Sequence, residues 1–228
     1  MRIAPEGVPY IALGILLVLV FWGLSHLAQG SPGLARALGA GALLMVVLTL
    51  FVAFFFRDPS RRYQAAPGEV LAPADGRIVL ITELEEEPFI QGPAVRISIF
   101  LSIFNVHVQR APITGTVELK EYNPGKFLAA WDHKASEENE QATLGIASGP
   151  HRVMVRQIAG LVARRVVTDP VQGQSVTQGH RIGIIQFGSR VDLFVPAGWE
   201  IIGQVGDKAV AGRSALARIP REEGGSAP

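Results

Sequence analysis

Two uncharged stretches constrain this chain more than anything else in it. Residues 7–35 contain no Asp, Glu, Lys or Arg, and residues 37–56 again contain none, with only Arg36 between them. Each supplies the roughly 20 apolar residues with which a helix crosses a bilayer. Gln29-Gly30-Ser31-Pro32-Gly33 between them has turn composition, so residues 1–56 are expected to form a membrane-anchoring helical hairpin with both ends on one side. A cleaved signal peptide fits less well, because no convincing small-residue cleavage site follows the first run and a second run comes directly after it. Arg2 before the first run and Arg57, Arg61 and Arg62 after the second, against Arg36 alone at the loop, predict that the following domain lies on the cytoplasmic side of the inner cell membrane. His26 has no ionisable partner in the second run and reads as an interfacial residue.

Charged residues are concentrated after Arg57, so the apolar excess is local and residues 57–228 form a second domain. The net charge of +1 comes without a basic stripe interleaved with aromatics, which argues against nucleic acid as a partner. No cysteine is present, so disulfides, thiolate zinc sites and cysteine nucleophiles are excluded. His26, His107, His133, His151 and His180 are scattered without a close pair, and no metal site is expected. Neither a phosphate-binding loop nor the Rossmann glycine order occurs.

From Gly68 onward the pattern is short β-type runs with turn punctuation: residues 69–72, 77–81, 95–108, 115–122, 152–167, 181–186 and 190–195. Pro73-Ala74-Asp75-Gly76 and Pro124-Gly125 are turn signals. Glu85-Glu86-Glu87 reads as a solvated charge run, residues 135–143 as a polar loop or short helix, and residues 221–228 as a tail. The turns at residues 72–78 and 205–212 resemble those of biotinyl/lipoyl-type folds, although no lysine stands where such a hairpin carries one. The predicted class is therefore mainly β, a β-sandwich of biotinyl/lipoyl-like hybrid type preceded by the two-helix hairpin.

The chemistry-bearing residues are ordinary taken singly. Ser189 follows Gly188 between two apolar runs, which by itself describes a turn. Gly188 nevertheless leaves its carbonyl unshielded, so a deprotonated Ser189 hydroxyl could attack its own preceding peptide bond. His107 lies in Phe104-Asn105-Val106-His107-Val108, where strand alternation puts Asn105 and His107 on the face opposite Phe104, Val106 and Val108. It reads either as a surface-facing strand histidine or as the base. Asp75 reads either as an Asp-Gly turn residue or as the carboxylate that orients His107. Ser214, in a second Gly/Ser context near the tail, is taken as structural.

Together these stretches resemble the phosphatidylserine decarboxylases, specifically the short prokaryotic (type II) branch of that pyruvoyl-dependent family. The resemblance rests on Phe56-Arg57-Asp58-Pro59, Ala72-Pro73-Ala74-Asp75-Gly76, residues 104–112, Asn123-Pro124-Gly125-Lys126-Phe127, Lys134-Ala135-Ser136-Glu137-Glu138-Asn139-Glu140, Gln157-Ile158-Ala159-Gly160 with Ala163-Arg164-Arg165, and Phe187-Gly188-Ser189-Arg190-Val191-Asp192. It implies a proenzyme in which Ser189 attacks the Gly188 carbonyl. Cleavage at Gly188-Ser189 then yields a membrane-bound β chain, 1–188, and an α chain, 189–228, that stay associated as a heterodimer, with a higher oligomer possible.

By the same resemblance His107 is the base and Asp75 its partner, and the cofactor is a pyruvoyl group derived from Ser189. Its ketone would form a Schiff base with the serine headgroup and accept the electrons left as carbon dioxide departs, giving phosphatidylethanolamine. Arg57, Arg61, Arg62 and Lys126 are candidate contacts to a phospholipid substrate by position and charge. Longer members carry a second histidine where this chain has Phe104, which leaves the protonation of the product unassigned. A membrane-anchored serine hydrolase using the same three residues, and a non-enzymatic biotinyl-like membrane adaptor, are the rival readings.

Overall fold

The computed structural model describes residues 2–61, 63–125, 139–160, 165–186 and 189–220. Two units are distinguished, Met1–Ser60 and Arg61–Pro228. In the first, β1 (Arg2–Ile3) pairs antiparallel with β2 (Arg57–Asp58) and closes the ends of two helices, α1 (Val8–Leu27) and α2 (Pro32–Phe55). Each helix has a proline in its first turn, where no N–H is needed. Both are long and apolar enough to cross a membrane. No residue of α1 is buried and only Ala42 and Phe55 of α2 are, so the pair exposes its apolar surface all round, which water does not favour and lipid does. A Cβ at Gly14 would collide with Thr49, so a small residue there lets the two helices approach closely.

The second unit is mainly β, as the alternating runs predict. Its strands are β3 (Glu69–Leu71), β4 (Gly76–Glu86), β5 (Gly92–Leu101), β6 (Val108–Arg110), β7 (Gly115–Asn123), β8 (Gln141–Ser148) and β9 (His151–Ala159). They continue with β10 (Arg165–Thr168), β11 (Ser175–Val176), β12 (Arg181–Gln186), β13 (Ser189–Pro196), β14 (Glu200–Ile201), β15 (Lys208–Ala209) and β16 (Ala215–Arg218). Eight of them form one sheet in the order β11-β7-β8-β9-β13-β5-β4-β15, and two three-stranded sheets have the orders β10-β12-β6 and β14-β16-β3. The main core joins the inner face of the large sheet (Ile97, Ile99, Leu144, Ile146, Val153, Val155, Val191, Leu193) to Ile182 and Ile185 of β12 and to Val70, Leu216 and Ala217 of the other small sheet. β13 therefore runs through the middle of the sheet with both edges paired and its inner face covered.

Three local expectations change. The run 95–108 is not one strand: it breaks after Leu101, because Asn105 Oδ1 accepts from the N–H and hydroxyl of Ser102 while Asn105 N donates to Ser102 O. Side chains that satisfy the backbone locally in this way compete with ladder pairing. Alternation consequently fails across the turn: Phe104 is 64% exposed, whereas both Val106 and His107 are buried. The run 152–167 is likewise two strands, β9 and β10. Glu86 is buried rather than solvated, its Oε2 accepting from the N–H groups of Phe89 and Ile90, a local turn that a charge count does not reveal. Of residues 135–143, those up to 138 lie outside the described residues and Gln141 opens β8.

Candidate active site

Ser189 is the first residue of β13, in register with Leu101 of β5 on one side and Ala159 of β9 on the other. Alternation along β13 places it on the same face as Val191, Leu193 and Val195, the face that looks into the core. The residue is fully buried, and its Oγ has no hydrogen-bond partner among the described residues. An unsatisfied buried hydroxyl costs about 1–3 kcal/mol, so its presence at the head of a central strand needs a reason other than packing.

His107 approaches from the opposite layer. It directly precedes β6, its carbonyl accepts from Ile185 N of β12 at 3.3 Å, and the ring is fully buried. Because β12 ends at Gln186 and β13 begins at Ser189, His107 and Ser189 flank the same short junction. The ring Nδ1 lies 3.1 Å from the carbonyl oxygen of Asn105. A carbonyl only accepts, so Nδ1 carries the proton and Nε2 is left as the basic nitrogen. The turn at residues 102–105 thus sets the tautomer.

Asp75 immediately precedes β4. Arg77 is in register with Phe100, which brings Gly76 level with Leu101, and Leu101 is level with Ser189. Two strand spacings, about 10 Å, therefore separate the Gly76 and Ser189 positions, and a third group is needed between them. His107 and β6 link the two sides, since Arg110 N at the end of β6 donates to Pro73 O at 2.9 Å and His107 O accepts from Ile185 N of β12 at the other end. The carboxylate of Asp75 accepts from Ala211 N at 2.8 Å and from Arg61 Nη2 at 2.7 Å, an ion pair whose side chains are only 11% and 14% exposed. Topology thus sets Asp75 and Ser189 at one end of the large sheet, with His107 bonded to β12 shortly before β13 begins. The carboxylate's own partners are Arg61 and Ala211.

A chain of buried amides ties the layers together. Gln109 Nε2 donates to His107 O at 2.6 Å, Gln157 Nε2 to Gln109 Oε1 at 2.9 Å, and Thr168 Oγ1 to Gln157 Oε1 at 2.9 Å. Its direction is forced: the His107 carbonyl accepts, so each amide must present its oxygen to the group behind it. Gln157 belongs to β9 of the large sheet and Gln109 to β6 of the small one, and both are fully buried. On the outer face of β13, Arg190 donates to Asp192 at 2.7 and 3.1 Å and to Ser98 Oγ of β5 at 2.8 Å, all three residues being buried. Asn139 Nδ2 donates to Ala159 O, while Ala159 N donates to Glu140 O. The Glu140 carboxylate takes the hydroxyl of Tyr122 and holds that phenol above its ordinary range, chiefly through this hydrogen bond and secondarily through burial.

Of the basic residues expected at a substrate, Arg57 donates to Phe54 O and stacks on the Phe54 ring at 3.8 Å, and Arg61 is committed to Asp75. Arg62, Lys126 and the cleavage-site residue Gly188 lie outside the described residues. Ser214 closes the turn at residues 210–214, its Oγ accepting from Val210 N, in keeping with a structural role.

A family model described as phosphatidylserine decarboxylase matches residues 48–217. The chain belongs to the phosphatidylserine decarboxylase family. A phosphatidylserine decarboxylase proenzyme of Symbiobacterium thermophilum is 43% identical over 224 residues, covering 96% of each chain. One of Geobacter sulfurreducens is 42% identical over 219 residues, covering 96% of this chain and 97% of its own. One of Salinibacter ruber is 47% identical over 178 residues, covering 77% and 78%. Within this phosphatidylserine decarboxylase fold, the site residues that sequence reasoning passed over are Asn105, Gln109 and Gln157, while Arg61, expected at the lipid, is bonded to Asp75 instead. The two glutamines carried a usable signal, since an uncharged amide inside an apolar strand run has to find a buried partner.

Proposed function

We propose that this chain is a self-processing, pyruvoyl-dependent decarboxylase that converts phosphatidylserine to phosphatidylethanolamine and carbon dioxide. The observation that carries the reading is Ser189: a buried hydroxyl without a partner among the described residues, at the head of a strand held on both sides. A serine hydrolase needs its nucleophile open to substrate in the uncut chain, where this one is enclosed, whereas a proenzyme needs access to position 189 only after the bond before it is cut. Enclosure suits an intramolecular attack, in which the reacting carbonyl belongs to the preceding residue and water is kept out.

In the proposed maturation His107 Nε2 takes the Ser189 hydroxyl proton as Oγ bonds to the Gly188 carbonyl carbon. The peptide C–N bond breaks, its nitrogen becomes an amine, and an ester joins the two residues. Removal of the Ser189 α-proton expels the Gly188 carboxylate and leaves dehydroalanine, which takes up water and loses ammonia to give the pyruvoyl end. Asp75, braced by Arg61 and Ala211 N, supplies the negative charge that favours the imidazolium.

The position fits the group it would become: its neighbours in register, Leu101 and Ala159, are apolar, and Ser189 already lies against the core. When formed, the pyruvoyl ketone supplies an electron sink for decarboxylation. His107 Nε2 is then the group that returns a proton to the headgroup carbon, since Phe104 has none to give. The α chain stays bound after cleavage, because β13 keeps its ladders to β5 and β9 and the Arg190–Asp192–Ser98 cluster still spans the two chains. The helices α1 and α2 anchor the enzyme in the inner membrane with the catalytic unit on the cytoplasmic side, and Arg57, Arg62 and Lys126 offer positive charge to the phospholipid.

Intact-mass analysis of the purified protein tests the reading. It expects two fragments, 1–188 and 189–228, the smaller with a blocked, hydrazide-reactive end, together with headgroup decarboxylation. A single uncut chain active on esters would establish the hydrolase instead.

A further inference from the structure

The turn that sets the His107 tautomer also presents the most exposed aromatic side chain among the described residues of the catalytic unit. Ile103 and Phe104 form its tip, 39% and 64% exposed, on a backbone closed by the Ser102–Asn105 hydrogen bonds. Lone apolar residues on a surface are unremarkable, but an adjacent pair on a rigid tip beside a reaction centre presents apolar area that water penalises. The surrounding charge is lopsided. Phe100, two residues before this turn, is in register with exposed Arg77, which is in register with exposed Lys208, and exposed Arg213 follows on the turn whose Ala211 N holds Asp75. The acids beside them among the described residues are Asp75, which is paired with Arg61, and Asp207, whose carboxylate accepts from Gln204 N.

We propose that Ile103 and Phe104 enter the acyl–headgroup boundary of the bilayer while Arg77, Lys208 and Arg213 lie against anionic headgroups, so that the reacting end of the sheet meets the membrane surface. The partner is a bilayer carrying anionic phospholipid: an apolar tip with cations along one side matches its two layers, apolar below and negative above. This inference deepens the proposed lipid activity and rests on it for its purpose. A headgroup that stays at the interface needs the site brought down to it, and because Asn105 accepts from the His107 ring, seating the tip would also seat the base.

The chain contains no cysteine, so Phe104→Cys in the full-length protein takes a single bimane label without background. Reconstituted in mixed phosphatidylcholine–phosphatidylglycerol vesicles, that label is expected to emit to the blue and be quenched by nitroxides on shallow acyl positions. A label at Val171→Cys, 60% exposed on the far edge strand's approach, is expected to answer only to aqueous iodide. Equal iodide quenching at both positions, or a blue shift at 104 that follows protein density rather than lipid nitroxide, would overturn the proposal, the second outcome pointing to contact between copies. Neither readout depends on cleavage or turnover, so intact mass on the same sample shows separately whether the functional reading has failed. In the cleaved enzyme, I103S/F104S is expected to raise the KM for vesicle substrate about fivefold with kcat retained, and to leave a water-soluble short-chain substrate unaffected.

Discussion

Gln157 of the sheet that holds Ser189 and Gln109 of the sheet that His107 leads into meet across the core at 2.9 Å, and Gln109 passes the connection to the His107 carbonyl. Apolar faces define a distance between two sheets but hardly a lateral register, because hydrophobic contact is non-directional. A fully satisfied buried amide pair supplies that register and keeps Ser189 and His107 aligned.

Replacing Gln157 with Leu leaves the Gln109 oxygen unsatisfied and the Thr168 hydroxyl without its acceptor. Stability is expected to fall by about 1–3 kcal/mol, and self-cleavage to slow about tenfold at temperatures where the fold is intact. Q109L/Q157L is expected to regain part of the stability and none of the rate. Thermal unfolding in detergent with intact-mass time courses reads both, and a rate that simply tracked melting temperature would reduce the glutamines to packing.

Ser189→Ala is expected to remain full length and inactive. Since it deletes a buried hydroxyl with no partner among the described residues, its unfolding free energy should match or exceed that of uncut wild type, by up to about 1 kcal/mol. Cleavage of this variant at the same bond would refute self-processing.

For His107→Gln no cleavage is expected, with the fold preserved because the backbone contacts of residue 107 are retained. Normal maturation, followed by mass, would remove His107 from the base role.

Arg61→Met removes one of the two groups bonded to Asp75 and leaves Ala211 N alone to support a mostly buried carboxylate. A loss of about 1–3 kcal/mol and slower maturation are expected, with Arg61→Lys recovering a part of both. An unchanged maturation rate would show that Asp75 acts without this brace.

Gly183→Ala tests the space the glutamine bridge needs. A Cβ there would collide with the Val167 carbonyl and lie 2.9 Å from Gln157 Nε2. The expected cost is about 1–3 kcal/mol with impaired cleavage, measured by the same two assays.

How far residues could be read in advance depended on how local their determinants are. The hairpin was legible because span length and the absence of charge are properties of consecutive residues. The β class was legible in the alternating runs, and Ser189, His107 and Asp75 stood out once their surrounding stretches were taken together. The strand read through 95–108 was not: whether Asn105 continues a ladder or folds back on Ser102 turns on one side-chain hydrogen bond, and periodicity does not register it. His107 consequently has its environment from the turn and not from strand alternation.

The amino-acid sequence by itself determined two apolar helices, a mainly β second unit, and a Gly-Ser bond with a histidine and an aspartate upstream of it. Only the tertiary structure decided that Ser189 is enclosed at the head of a central strand, that Asn105 sets the His107 ring, that Arg61 holds Asp75, and that Gln109 and Gln157 join the two layers. The physical reason is separation along the chain. Periodicity and composition follow from neighbouring residues, whereas these contacts join residues brought together by strand order and register, such as the 48 positions between Gln109 and Gln157.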